Sequence, residues 1–222
     1  MIVSNKHPII AREGLPYIAA IFFALLSSLL FFHLVVTLFL LLMFAGLLFV
    51  FRDPIRNIPP SPLGIVSPVD GKIISISKTD NAFNPECSYQ LSIQMATLGV
   101  YSLRSPIEGK MLKQWTDDTK GSQKTMNWIQ TDEGDNVIWT VQAEGRKRAQ
   151  CYVQPGERIG QGQRCGFLLF GAKIELLIAA NSHLDVEVGS EIRAGETILA
   201  HIVHQRGAGL LGDPTLIIGN AG

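Results

Sequence analysis

No Asp, Glu, Lys or Arg occurs from Leu15 to Phe51 of this 222-residue chain, no histidine lies between His33 and His183, and only three cysteines are present. Each scarcity excludes something. The charged residues balance, 19 basic against 19 acidic, so no basic face of the kind that binds nucleic acid is expected. The short run Arg146-Lys147-Arg148 reads as a solvated strand end, with contact to anionic lipid headgroups as its alternative. Cys87, Cys151 and Cys165 are odd in number, widely spaced and without a Cys-x-x-Cys pair. That argues against a disulfide framework or a zinc site, and for a reducing cytoplasm. Helical periodicity is scarce after Phe51, which points away from a helical soluble domain.

The uncharged run is rich in Leu, Phe, Ile, Val and Ala. As one straight helix it would be about 55 Å long, against a hydrocarbon core of about 30 Å. Two shorter spans fit better, near Tyr17 to Phe32 and Leu34 to Phe51, with His33 at the turn. Each is short enough that a hairpin entering one leaflet is the alternative. Lys6 and Arg12 precede the run, and Arg52 and Arg56 follow it. The positive-inside rule then places both ends in the cytoplasm, which a hairpin achieves and a single span does not. The run far exceeds the apolar core of a cleaved signal peptide, about 7–15 residues. An anchor is expected in a bacterial or archaeal-type cell membrane, with the soluble domain on the cytoplasmic side.

Pro54, Pro59, Pro60, Pro62 and Gly64 mark a stiff, extended linker, because proline fixes φ and keeps its predecessor out of the helical region. The chain thus divides into an N-terminal cytoplasmic segment (1–14), a membrane-anchoring helical hairpin (15–51), a Pro-rich linker (52–64), a β domain (65–206) and a flexible tail (207–222). In the domain, β-branched and aromatic residues alternate with polar ones, as in Lys72-Ile73-Ile74-Ser75-Ile76-Ser77 and Asn136-Val137-Ile138-Trp139-Thr140-Val141, a strand pattern. Two internal repeats sharpen this. Ser67-Pro-Val-Asp-Gly-Lys-Ile73 returns as Ser105-Pro-Ile-Glu-Gly-Lys-Met111. The pattern Val153-x-x-Gly156-x-x-Ile159-x-x-Gly162 returns as Val186-x-x-Gly189-x-x-Ile192-x-x-Gly195. The second resembles the turn-strand-turn units of lipoyl and biotinyl carrier domains, where glycines supply φ > 0. The expected fold is mostly β, a flattened barrel or sandwich of two lipoyl-like halves preceded by a transmembrane or re-entrant hairpin. A carrier role is disfavoured, since between the Gly repeats only Lys173 is available and it falls on a predicted strand. Gly207-Ala208-Gly209-Leu210-Leu211-Gly212 fits the dinucleotide fingerprint, but lacks the βαβ context and the following acidic residue that such a site needs.

Several segments carry a wider resemblance. Phe51-Arg52-Asp53-Pro54, Ser67-Pro68-Val69-Asp70-Gly71-Lys72, the stretch Ile93 to Gly109, and Arg164-Cys165-Gly166-Phe167-Leu168-Leu169-Phe170-Gly171-Ala172-Lys173-Ile174-Glu175-Leu176 together resemble the phosphatidylserine decarboxylase family, of the short, archaeal-like type. The resemblance implies the family's β fold and a self-cleavage site at Gly171-Ala172. There the family has Gly-Ser, and the Ser attacks the preceding carbonyl and becomes a pyruvoyl cap. It also makes Asp70 the carboxylate that orients the catalytic base, and puts Tyr101 where the family carries the His. Ala172 has no oxygen to attack with. A Ser hydroxyl needs a base with a pKa near neutrality, and an ordinary phenol, at about 10, is protonated at neutral pH. Two departures at two positions point to a naturally degenerate relative rather than to a single change that traps a precursor. Ser182-His183 and Gly189-Ser190 offer alternative pairs and are read as turns.

The resemblance therefore implies a membrane-anchored decarboxylase-like protein that is not self-processed and has no pyruvoyl cofactor, the cofactor being expected in active members only. Its expected partners are membrane phospholipid and a further copy of itself or another lipid enzyme. The alternatives are an active decarboxylase, converting phosphatidylserine into phosphatidylethanolamine, and a membrane-fusion-type adaptor with a lipoyl-like barrel.

Overall fold

The computed structural model of the protein describes residues 9–30, 34–81, 84–119, 122–144, 151–169, 171–179 and 181–203. His33, the run Arg146-Lys147-Arg148 and the tail 207–222 lie outside the described residues. A 3-10 turn, Arg12–Gly14, leads into α1 (Leu15–Leu30), and α2 is Leu34–Val50. Their 16 and 17 residues rise about 24 and 26 Å, a little under the hydrocarbon thickness. The stretch Arg12–Leu30 is long and apolar enough to cross a membrane by length and composition. Both helices expose large apolar side chains, among them Phe23, Leu30, Leu38, Phe39 and Leu42, a surface suited to hydrocarbon rather than water. Ser28 Oγ and Thr37 Oγ1 lie 2.8 Å apart across the pair, so two hydroxyls satisfy each other in an apolar setting. Below the helices the two chain ends are tied together. Ala11 N–H donates to the Phe51 carbonyl (2.8 Å) and Asp53 N–H to the Ile9 carbonyl (2.7 Å). Both ends of the hairpin therefore leave on one side, as the flanking cations imply.

The β strands are β1 (Gly64–Val66), β2 (Gly71–Asn81), β3 (Asn84–Met95), β4 (Ser102–Arg104), β5 (Gly109–Thr119), β6 (Ser122–Gln130), β7 (Asn136–Glu144), β8 (Arg158–Ile159), β9 (Arg164–Phe167), β10 (Lys173–Ala179), β11 (His183–Leu184), β12 (Glu191–Ile192) and β13 (Ile198–His201). They form an eight-stranded sheet in the order β12-β2-β3-β10-β7-β6-β5-β8, a three-stranded sheet β1-β13-β11, and the pair β4-β9. The layers pack as a sandwich without closing into a barrel, so of the two forms that the sequence allows the open one is adopted. Trp139, Leu91, Ile93, Met111, Ile129 and Ile174 are fully buried at its centre.

The repeats are structural equivalents. Ser67 Oγ donates to the Val69 carbonyl and Ser105 Oγ to the Ile107 carbonyl, both at 2.7 Å. Gly195 N–H donates to the Ser67 carbonyl (2.8 Å) and Gly162 N–H to the Ser105 carbonyl (2.9 Å). β12 adds to β2 at Gly71-Lys72, and β8 adds to β5 at Gly109-Lys110. The two halves meet through a reciprocal pair: Val66 N–H to the Pro106 carbonyl (2.8 Å) and Arg104 N–H to the Pro68 carbonyl (2.9 Å). All four repeat glycines have positive φ, between +65° and +96°, the left-handed region that L side chains avoid. One half is thus built from β2, β3 and β12, the other from β5, β6 and β8, with β10 and β7 paired between them.

A candidate site shared by two cavities

Gly171 and Ala172 stand just before β10. Side chains along this strand alternate, with Ile174, Leu176 and Ile178 buried, and Ala172 has the same inward parity at 4% exposure. Its carbonyl accepts the Met95 N–H at 3.0 Å, which fixes it against the end of β3. Gly171 has φ +83°, yet a Cβ there would meet nothing within 4 Å. Its glycine answers a backbone requirement rather than a crowded one. Gly171, Ala172, Lys173, Gln94, Met95, Thr97 and Gln142 line a cavity of about 230 Å³. The Lys173 ammonium is held 2.9 Å from Glu175.

Asp70 lies in a second, larger cavity of about 690 Å³, with Gly71, Lys72, Thr97, Leu98 and Arg193 among its walls. That volume is within the range of small-ligand sites, about 300–1,000 Å³, while the first cavity is below it. Gln94, Met95 and Thr97 line both cavities. The Asp70 carboxylate is heavily engaged. Oδ2 accepts from Arg56 Nη2 at 2.7 Å and from Val100 N–H at 3.2 Å, and Oδ1 accepts from Ala194 N–H at 2.8 Å. Arg56 also reaches Glu196 at 3.5 Å. The Tyr101 side chain is buried, edge-on to Phe167 with ring centroids 6.3 Å apart, and its hydroxyl donates to the Thr97 carbonyl. The loop from Thr97 to Tyr101 is stitched closed at both ends.

The hairpin is docked beside this loop. Asp53, 2% exposed, lies 3.1 Å from Arg104 Nη2 and 2.9 Å from Arg164 Nε, and Arg164 Nη2 is 2.7 Å from Glu13. Burial lowers the affinity of the Arg104 guanidinium for its proton, and the Asp53 charge works against that shift. Rings continue the connection: Tyr17 stacks on Phe51 (6.1 Å), Phe51 on Phe167 (5.5 Å), and Phe167 meets Tyr101. The linker turns at its end, where Ser61 N–H donates to the Pro59 carbonyl (2.9 Å) and Gly64 N–H to the Ser61 carbonyl (3.0 Å), and Arg56 and Asn57 tie it to the β domain, so it is not a free spacer.

The comparisons with known proteins fall on this site. The family model described as phosphatidylserine decarboxylase matches residues 92–200, a span that takes in Tyr101, Gly171 and Ala172. The phosphatidylserine decarboxylase proenzyme of Nitrosomonas eutropha is 34% identical over 207 residues, covering 87% of this chain and 95% of that one. The proenzyme of Desulfotalea psychrophila is 35% identical over 208 residues (87% and 97%), and that of Burkholderia ambifaria 34% over 215 (90% and 99%). The chain belongs to the phosphatidylserine decarboxylase family. No solved structure matches it.

Within this family member, the residues singled out in the sequence fall around one wall. Ala172 and Asp70 open onto cavities that share Gln94, Met95 and Thr97, and Tyr101 binds Thr97. Ser182 and His183 do not form a working pair. Ser182 is buried and His183 exposed on opposite sides of the chain, and Asp185 lies between His183 (3.3 Å) and His201 (2.6 Å). Arg56, which the sequence offers only as a flanking cation, is the ion-pair partner of Asp70. Cys151 and Cys165 are far apart in sequence but adjacent in space, since Cys151 bridges Gly166 and Tyr152 N–H donates to the Cys165 carbonyl at 2.6 Å. Both are free thiols.

Proposed function

We propose that this chain is a membrane-anchored phosphatidylserine decarboxylase-like protein that stays a single polypeptide, lacks pyruvoyl chemistry, and uses its retained fold to bind phospholipid. The carrying observation is the methyl of Ala172 beside Gly171. Making a pyruvoyl group needs a side-chain oxygen at that place, to take the preceding carbonyl as an ester and then leave with it as a carboxylate while water supplies the keto oxygen, and the residues present do not fit one. Tyr101 supports the same reading, because its hydroxyl is used as a donor to a carbonyl, whereas activating a serine calls for a proton acceptor. The 690 Å³ cavity beside Asp70 is the space offered to a headgroup, and the apolar hairpin supports placement at a membrane, with the β domain on the cytoplasmic side.

Intact-mass measurement of the purified full-length chain tests this. One species at the mass of the whole sequence is expected. The competing reading, an active decarboxylase, draws on the identity to proenzymes over nearly nine-tenths of the chain. It predicts two fragments cut near Gly171, the smaller with a blocked N-terminus, and carbon dioxide released from phosphatidylserine.

A further inference from the structure

We propose that the loop Thr97-Leu98-Gly99 is a further membrane contact of this protein. The Leu98 side chain lies at the headgroup–acyl boundary of the leaflet from which the hairpin emerges, and the 690 Å³ cavity opens onto that bilayer surface. The inference rests on residues 15–51 being a membrane anchor, as in the functional reading above.

Exposure alone would not carry it, since single exposed leucines are common. Position does. Leu98 is 74% exposed, the highest value among the large apolar side chains of the described β domain. Its carbonyl accepts from Arg52 Nη2 at 2.9 Å, and the Arg52 guanidinium carbon sits 3.8 Å from the ring centre of Phe49, in the last turn of α2. The backbone at 98 is therefore one arginine side chain away from a helix whose surface suits hydrocarbon. An arginine at the end of an apolar span lays its stem along the apolar surface and keeps its charge at the level of the headgroups. Ile9 and Ile55, 68% and 72% exposed, flank the same base of the hairpin.

The loop is also held rather than loose. The Thr97 carbonyl is taken by Tyr101, the Leu98 carbonyl by Arg52 and the Val100 N–H by Asp70, leaving the Leu98 side chain facing outward. Thr97, Leu98 and Gly99 line the larger cavity, and Thr97 the smaller one too. A loop seated in the interface would bring a headgroup to Asp70 and Arg193 while its acyl chains remain in the leaflet. The occupant of this surface is the bilayer that holds the hairpin.

The test uses the full chain in vesicles of phosphatidylcholine and phosphatidylglycerol. Single Leu98→Cys, Phe39→Cys and Glu133→Cys variants are labelled with the environment-sensitive fluorophore NBD, and the unsubstituted chain is labelled in parallel to subtract native cysteines. Phe39 is an exposed apolar position of α2, and Glu133 is exposed in the β6–β7 turn. All three side chains are exposed, so the fold is retained. The expected result is blue-shifted emission at 39 and 98, quenched by nitroxide-bearing lipids and protected from aqueous iodide, with 133 fully quenched by iodide. If 39 is lipid-protected and 98 is as aqueous as 133, the loop proposal fails and the anchor stands. If 39 is aqueous as well, the anchor reading and the loop proposal fall together. Neither result depends on whether the chain cleaves itself.

Discussion

A hydroxyl placed at residue 172 would enter the wall of the 230 Å³ cavity, where it has room but no residue identified as its base. Ala172→Ser alone is expected to fold and remain whole. Ala172→Ser with Tyr101→His supplies both a nucleophile and a group able to take its proton at neutral pH. This double variant is expected to yield two fragments on a denaturing gel if the scaffold keeps the geometry. A folded double variant that stays whole would show that a hydroxyl at 172 and an imidazole at 101 are not sufficient for cleavage on this scaffold. A second prediction concerns the buried thiols. Hydrogen bonding from Cys165 draws the Cys151 thiol down, and burial pushes Cys165 well up, yet both are only 1% exposed. Access decides over acidity here. Peptide mapping after maleimide treatment should find both unmodified in the native protein and both modified in denaturant. Asp70, Tyr101, Gly171 and Ala172 were readable as candidates because each lies in a contiguous motif. Arg56 was not, because its pairing with Asp70 arises only when the linker folds back, and the approach of Cys151 to Cys165 depends on the β9 register.

The helices illustrate what an element reveals before it is packed. Absence of charge and a length limit of about 30 Å suffice to place two apolar helices, and the observed ends fall within two residues of the expected ones at 17, 34 and 51. How the hairpin joins the β domain is invisible at that level, because Asp53 gains its partners Arg104 and Arg164 from strands 51 and more residues away. This buried cluster should dominate the joint. Removing the carboxylate leaves two guanidinium groups facing each other with little water, and loss of one member of a buried ion pair costs about 3–5 kcal/mol. Asp53→Ala is therefore expected to lower the midpoint of thermal unfolding in detergent and to expose the linker to protease. Arg158→Ala, which removes an ion pair with Asp132 that is mostly in solvent, should leave both unchanged. Equal effects from the two variants would show that the docking cluster has no special role.

The whole molecule is two similar halves used unequally. The Ser-Pro-x-acid-Gly-Lys repeat made the halves visible in the sequence. The joining of β10 to both β3 and β7 was not visible, since pairing between distant strands leaves no local pattern. Asp70 is the ion-paired wall of a cavity, while its counterpart Glu108 is exposed. The glycines that follow them make the asymmetry testable. A Cβ on Gly71 would lie 2.2 Å from the Gln94 carbonyl oxygen, and one on Gly109 would lie 2.3 Å from the Gln130 carbonyl oxygen. Neither backbone can yield without disturbing the strand pair, so each Gly→Ala change should destabilise at or above the upper end of overpacking costs, about 3 kcal/mol. The two variants should therefore melt at similarly reduced temperatures. Of these two pairs, Gly71 and Gln94 line the larger cavity and Gly109 and Gln130 do not, so Gly71→Ala alone should also reduce the phospholipid retained by the purified protein at temperatures where both variants are folded. Equal retention by the two folded variants would dissociate lipid binding from the Asp70 cavity and leave the asymmetry of the halves without a functional meaning.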